Sequence, residues 1–141
     1  MTTYGLMLDT NTVSNLLREH PAVVQRVKAL SPASLCISIV TKGELFFGLA
    51  KRPTATRLHR AVHEFLRLIV ALPLDDAVME HYGSLRASLE REGKILAPLD
   101  LLIAAHARSL GIVLVTNDGA FSQVEGLKLE DWTVPVRPNA S

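Results

Sequence analysis

The chain of 141 residues has one cysteine, few aromatics, almost no net charge and no long apolar run. Each shortage excludes something. A lone Cys36 inside Leu35-Cys36-Ile37 cannot close an internal disulfide, and no Cys/His spacing suits zinc, so a reducing, cytoplasmic setting is expected. Aromatic residues make up 5% of the chain and are not interleaved with basic ones at Tyr82 or Trp132, which read as packing groups rather than as stacking platforms. A formal net charge of +1 gives no global basic field, so any nucleic-acid site must rest on local clusters or on a bound cation. No apolar stretch approaches the roughly 18 residues of a membrane span. The first apolar run is interrupted by Asp9 and has no basic leader, a poor signal peptide.

What is present suits a compact α/β domain. Hydrophobic residues account for 48% and charged residues for 21%, enough for one core and one domain over residues 1–141, with a frayed tail over 135–141. Leu6-Met7-Leu8 reads as a buried strand ending in an acid, and Asp9-Thr10-Asn11 as the cap of a helix carrying Val13, Leu16 and Leu17. His20-Pro21 breaks that helix, and Val23, Val24 and Val27 begin another. Leu35 to Val40 is a second expected strand, followed by a helix from Thr41 to Ala50. Apolar residues recur at helical spacing in Leu58, Val62, Phe65, Leu66 and Ile69, and again in Val78, Tyr82, Leu85 and Leu89. The stretch from Thr54 to Gly93 is expected to pack on the sheet as a helical arm, in the form of a hairpin, with Ile69 to Leu74 its one candidate strand. Asp100 to Ala107 is a helix apolar on nearly every side and therefore buried. Ile112 to Val115 and Leu127 to Leu129 are the last strands, with Trp132 at the edge. Strands alternating with helices predict a mainly parallel sheet covered on both faces.

Four acids punctuate these elements: Asp9, Glu44, Asp100 and Asp118. Each has an ordinary structural explanation. Asp9 and Asp100 can cap helices, Thr41-Lys42-Gly43-Glu44 fits a capping box, and Asn117-Asp118-Gly119 fits a tight turn. Together they suggest more, because strand ends and helix starts gather along one edge of a parallel sheet, where ligands bind. Ionised carboxylates held together repel unless a cation or a proton is shared. An all-oxygen set without cysteine or paired histidines favours Mg²⁺ or Mn²⁺. The chemistry this permits is metal-assisted phosphodiester hydrolysis. Asp9 and Asp100 are the expected direct ligands. Glu44 would bind through water or help deprotonate the attacking water, and Asp118 would hold a second metal or support the first. Thr10, Asn11 and Thr116 would orient carboxylates or touch phosphate. Lys42, Lys51 and Arg52, in a basic cluster after Glu44, are candidate RNA contacts whose default explanation is a solvated helix face. His106, deep in a buried helix, reads as a core histidine.

The blocks Met7-Leu8-Asp9-Thr10-Asn11-Thr12-Val13-Ser14, Thr41-Lys42-Gly43-Glu44-Leu45 with Gly48, Pro98 to Ala107, and Val115-Thr116-Asn117-Asp118 with Phe121 resemble, in order and spacing, PIN-domain ribonucleases of the VapC toxin type. The resemblance runs from about Met7 to Trp132. It implies a PIN-like α/β/α sandwich and a Mg²⁺- or Mn²⁺-dependent endoribonuclease. It also implies a homodimer and a VapB-type antitoxin whose C-terminal segment occupies the active-site groove. Leu127 to Trp132 further resembles the members that cut initiator transfer RNA. Asp118 is the carry-over that varies most in the family. Asp9-Thr10-Asn11-Thr12-Val13 also resembles the nucleophile motif of haloacid-dehalogenase-like phosphatases, but Asn11 stands where that motif needs its second acid. A non-catalytic PIN-like binding module, with the acids serving only as caps, is the remaining alternative.

Overall fold

A computed structural model describes residues 4–135. The expected fraying of the tail therefore falls, Pro135 apart, outside the described residues. In chain order the elements are β1 (Leu6–Leu8), α1 (Thr10–Leu17), α2 (Pro21–Lys28), β2 (Leu35–Ser38), α3 (Ile39–Lys51) and α4 (Thr56–Leu68). There follow β3 (Val70–Leu72), α5 (Asp76–Arg91), α6 (Pro98–Leu110), β4 (Val113–Val115) and β5 (Leu129–Glu130). The sheet has five strands in the order β3-β2-β1-β4-β5, and every pair is parallel. Its two faces are both covered, giving the α/β/α sandwich.

The alternation of side chains along a strand sorts the core into two layers. Met7, Cys36 and Leu114 point to the face under α5 and α6, where Leu85, Leu89, Leu101 and Ile103 are buried. Leu8, Leu35, Ile37 and Val115 point the other way, onto Val13 of α1, Val23 of α2, Leu45 of α3 and Val62 of α4. Strands apolar on both sides explain why they read as continuous runs rather than alternating ones.

Three local expectations are corrected. The second strand stops at Ser38, not Val40, because the Ser38 hydroxyl accepts from the Val40 amide at 3.1 Å and starts α3 earlier. The helical stretch from Thr54 to Gly93 is not a hairpin. The edge strand β3 interrupts it, sending α4 to the layer with α1 and α3 and α5 to the layer with α6. Trp132 is buried in the core rather than sitting at the edge, its indole N–H donating to Glu130 at 3.0 Å.

The strand order reverses at β1, which has β2 on one side and β4 on the other. At such a switch point the connections leave in opposite directions and a crevice opens at the carboxyl ends of the strands. Asp9 follows β1 directly and Asp118 lies beyond β4, on that side of the sheet.

Candidate active site

Asp9 follows β1 directly and is only 3% exposed. Its Oδ1 accepts from the Thr12 amide at 2.8 Å, so it does cap α1. That cap leaves Oδ2 for other work. The Thr116 hydroxyl at the end of β4 accepts from the Asp118 amide at 3.0 Å. Thr12 completes the arrangement, its buried hydroxyl donating to the Val115 carbonyl at 2.9 Å. Burial pushes the Asp9 carboxyl above its ordinary range; the bonds from Thr116 and Thr12 oppose the shift and Asp118 adds to it.

Glu44 lies on α3, and the capping box expected for it does not form. Ser38, not Thr41, caps this helix, leaving Thr41 buried inside its first turn. The Glu44 carboxylate instead accepts from the Thr10 hydroxyl at 2.6 Å, with the Thr41 hydroxyl 3.3 Å from Thr10. Two helices that follow different strands are thus tied together at the site.

Asp100 is not a cap either. Ala97 occupies the cap position of α6 without a side-chain bond, Pro98 opens the helix, and Asp100 sits in the first turn. There the positive end of the helix dipole favours a carboxylate. Burial nevertheless raises the Asp100 pKa, and Glu44, Asp118 and Asp9 all raise it further by repulsion. Asp100 thus lies near enough to three carboxylates from distant segments to be perturbed by each of them. Asp118 caps the short 3-10 helix Gly119–Gln123 through Oδ1, which accepts from Ala120 at 2.9 Å.

Among the described residues no three of His, Cys, Asp and Glu stand close enough to form a ready-made metal cluster. Asp9, Glu44 and Asp118 each have one oxygen engaged in an internal bond. The donor set still fits a hard divalent cation, being all oxygen and carrying repulsion that a double positive charge relieves.

The other expected residues divide. Thr10 and Thr116 contact the acids, whereas Asn11 is exposed on α1. Lys51 and Arg52 line a groove of about 230 Å³ together with Thr10, Ser14, Arg18 and Glu44. Lys42 does not join them, its ammonium lying 5.7 Å from the Phe46 ring on another side of α3. Residues missed from the sequence are Thr12, Thr41 and Arg18; a hydroxyl at every second position after Asp9 was the available signal for the first. His106 is buried as expected, with Nδ1 2.8 Å from the Ser38 hydroxyl.

Comparison with known proteins follows the same outline. The family model described as PIN domain matches residues 6–127. The chain is similar to a tRNA(fMet)-specific endonuclease VapC of Shigella flexneri, 39% identical over 128 residues, covering 90% of this chain and 97% of that protein. Among solved structures it is similar to DNA-bound VapBC from Salmonella typhimurium (TM-score 0.86, 34% identity, 92% of this chain and 99% of that one). VapBC2 from Rickettsia felis, bound to a DNA fragment from its promoter, gives a TM-score of 0.84 at 30% identity, covering 90% of this chain and 98% of that one.

Proposed function

Because the chain belongs to the PIN-domain family and, within it, to the VapC-type proteins, we propose that it is a single-domain, Mg²⁺- or Mn²⁺-dependent endoribonuclease toxin held in check by a VapB-type antitoxin. The single observation that carries the site assignment is the placement of the acids about the switch point of the sheet: Asp9 directly after β1, Asp118 beyond β4, Asp100 in the first turn of α6, and Glu44 on α3 bonded to Thr10 of α1.

Asp9 and Asp100 would hold the cation from β1 and α6, and Asp118 would support it from beyond β4. When bound, the ion supplies Lewis acidity that makes water a better nucleophile and offsets charge on the phosphoryl oxygens. The chain's own groups set the geometry. The Thr12 amide holds the Asp9 carboxylate in one orientation. The Thr10 hydroxyl fixes Glu44 Oε1, leaving Oε2 to take a proton from the attacking water. Lys51 and Arg52 offer cations for RNA phosphates along the groove. This reading needs no histidine; among the described residues the one buried histidine, His106, is turned to Ser38.

The same groove has apolar walls in Leu17, Leu45, Leu49, Leu58 and Val62. An amphipathic antitoxin segment laid there would cover Glu44 and block the substrate path. Transfer RNA is the proposed substrate, since the Shigella relative is named for tRNA(fMet). A homodimer belongs to the same reading, and light scattering of the purified chain tests it.

The deciding experiment is Asp100→Asn. The variant should keep the wild-type circular dichroism spectrum while losing Mn²⁺ binding and nearly all RNA cleavage. Full cleavage by that variant would remove Asp100 from the site. The phosphatase alternative is displaced by family membership and by Asn11, which replaces its second acid and faces solvent. A non-catalytic binding module would show neither metal-dependent cleavage nor sensitivity to this substitution.

A further inference from the structure

The outward side of α3 carries a feature that the proposed chemistry leaves unused. Thr41, Leu45 and Leu49 face the core. Glu44, Phe47 and Lys51 follow one another at i, i+3 and i+7, spacings that stack side chains in one ridge along a helix. Phe47 is 62% exposed, and the Lys51 ammonium lies 4.6 Å from its ring centroid. The ridge therefore runs carboxylate, aromatic ring, cation. Its Glu44 end is hydrogen-bonded to Thr10 at the site, and its Lys51 end lines the groove with Arg18 and Arg52. Gly48 lies beside the ridge with open space above it, where a side chain would otherwise crowd an approaching ligand.

We propose that Phe47 is a stacking platform for one unpaired RNA base next to the bond that is cut, with Lys51 exchanging the ring for the adjoining phosphate. This rests on the endoribonuclease reading above. An exposed aromatic ring flanked by cations is the combination with which proteins hold single strands, the ring taking a base face and the cations the backbone. An exposed lysine–ring contact is the weaker of the two and gives way to a base. The charge distribution favours RNA over an apolar protein partner. The two neighbours of Phe47 on the ridge, Glu44 and Lys51, are charged, while the apolar groove wall of Leu17, Leu45 and Leu58 lies on the other side of Glu44. The occupant must be single-stranded, because a paired base has both faces covered and its edge in a groove.

Phe46 supplies an internal control. It too is exposed, at 43%, and has Lys42 against its ring. Two residues from Glu44, it points about 160° away around the helix, whereas Phe47 points about 60° away.

The test uses Phe47→Leu, Phe47→Trp and Phe46→Leu. The probe is a single-stranded RNA oligonucleotide carrying 2-aminopurine beside the cleaved bond, with its duplex as comparison. Cleavage is measured in the wild-type background and 2-aminopurine quenching in the Asp100→Asn background. Phe47→Leu should raise KM for the single strand about tenfold, the scale of one lost base stack, with kcat within about twofold. It should also abolish the quenching. Phe47→Trp should restore both, Phe46→Leu should change neither, and the duplex should bind equally weakly throughout. Unchanged KM and quenching in Phe47→Leu would overturn the proposal. So would equal losses in Phe46→Leu, or a change in mass by light scattering in Phe47→Leu, which would assign the ring to an interface between copies. Quenching that depends on Phe47 in a protein that cleaves no RNA would instead overturn the nuclease reading and leave the platform standing.

Discussion

At the scale of single residues, two of the four acids proposed for the site, Asp9 and Asp118, also cap helices. Asp9 caps α1 with one oxygen, and burial makes its charge unfavourable. Asp9 has a folded-state pKa raised above that of the unfolded chain, so the folded state holds the proton longer as pH rises. Stability from this group is present at low pH and lost as pH rises through the folded value. Asp9→Asn should therefore raise the melting temperature in EDTA at pH 7 by a few degrees while abolishing cleavage. A lower melting temperature would show that the charge helps the fold. The Thr116 hydroxyl accepts from the Asp118 amide and favours the charged form of Asp9. Thr116→Val leaves that part-buried amide without its acceptor and should cost about 1 kcal/mol in urea unfolding. Cleavage should fall with it, because Asp9 loses its second support. Burial pushes the Cys36 thiol up to about 12. It should resist maleimide labelling at pH 8 in the folded protein and react only on unfolding.

At the scale of elements, the geometry depends on how α3 and α6 are joined. Ser38 caps α3, which carries Glu44, and pairs with His106 of α6, which carries Asp100. Burial holds the His106 imidazole below its ordinary value of 6.5, with Asp75 opposing the shift. Below pH 6.5 the unfolded chain takes up a proton that folded His106 refuses, so stability falls as pH drops through that region. A urea series from pH 7.5 to pH 5 should show this loss in the wild type, and a much smaller one in His106→Gln. The same elements show how local sequence misleads. Thr41-Lys42-Gly43-Glu44 is a well-formed capping box in sequence, yet Ser38, three residues earlier, captures the helix start. Once that happens Glu44 is free to meet Thr10, a partner 34 positions away. A cap competes only with its neighbours, and the winner cannot be read from the losing motif alone.

At the scale of the whole molecule, a protein of net charge +1 must bind a polyanion through local features. Cleavage should weaken steeply with added KCl, since phosphate contacts release counterions. A shallow dependence on salt would remove Lys51, Arg52 and Arg18 from the substrate path. Mn²⁺ at about a hundredfold excess over its Kd should stabilise the wild type by about 2.7 kcal/mol, and EDTA should reverse it. Differential scanning calorimetry of wild type and Asp100→Asn separates this site-bound effect from general ionic stabilisation. Expressed without a partner, the wild-type protein should arrest growth and Asp9→Ala should relieve it. Equal arrest by both would cut the link between these carboxylates and toxicity.

The order of elements, the buried strands and the position of Asp9, Asp100 and Asp118 at strand ends and helix starts were legible in the sequence, because strand period, helix period and punctuating residues are local patterns. Pairing was not. That β1 lies between β2 and β4, that α4 and α5 go to opposite faces, and that Glu44 answers to Thr10 all depend on contacts between distant segments. Local periodicity determines which side of a segment is apolar. Only the assembled sheet decides what that side meets, and so which charges are forced to share one crevice.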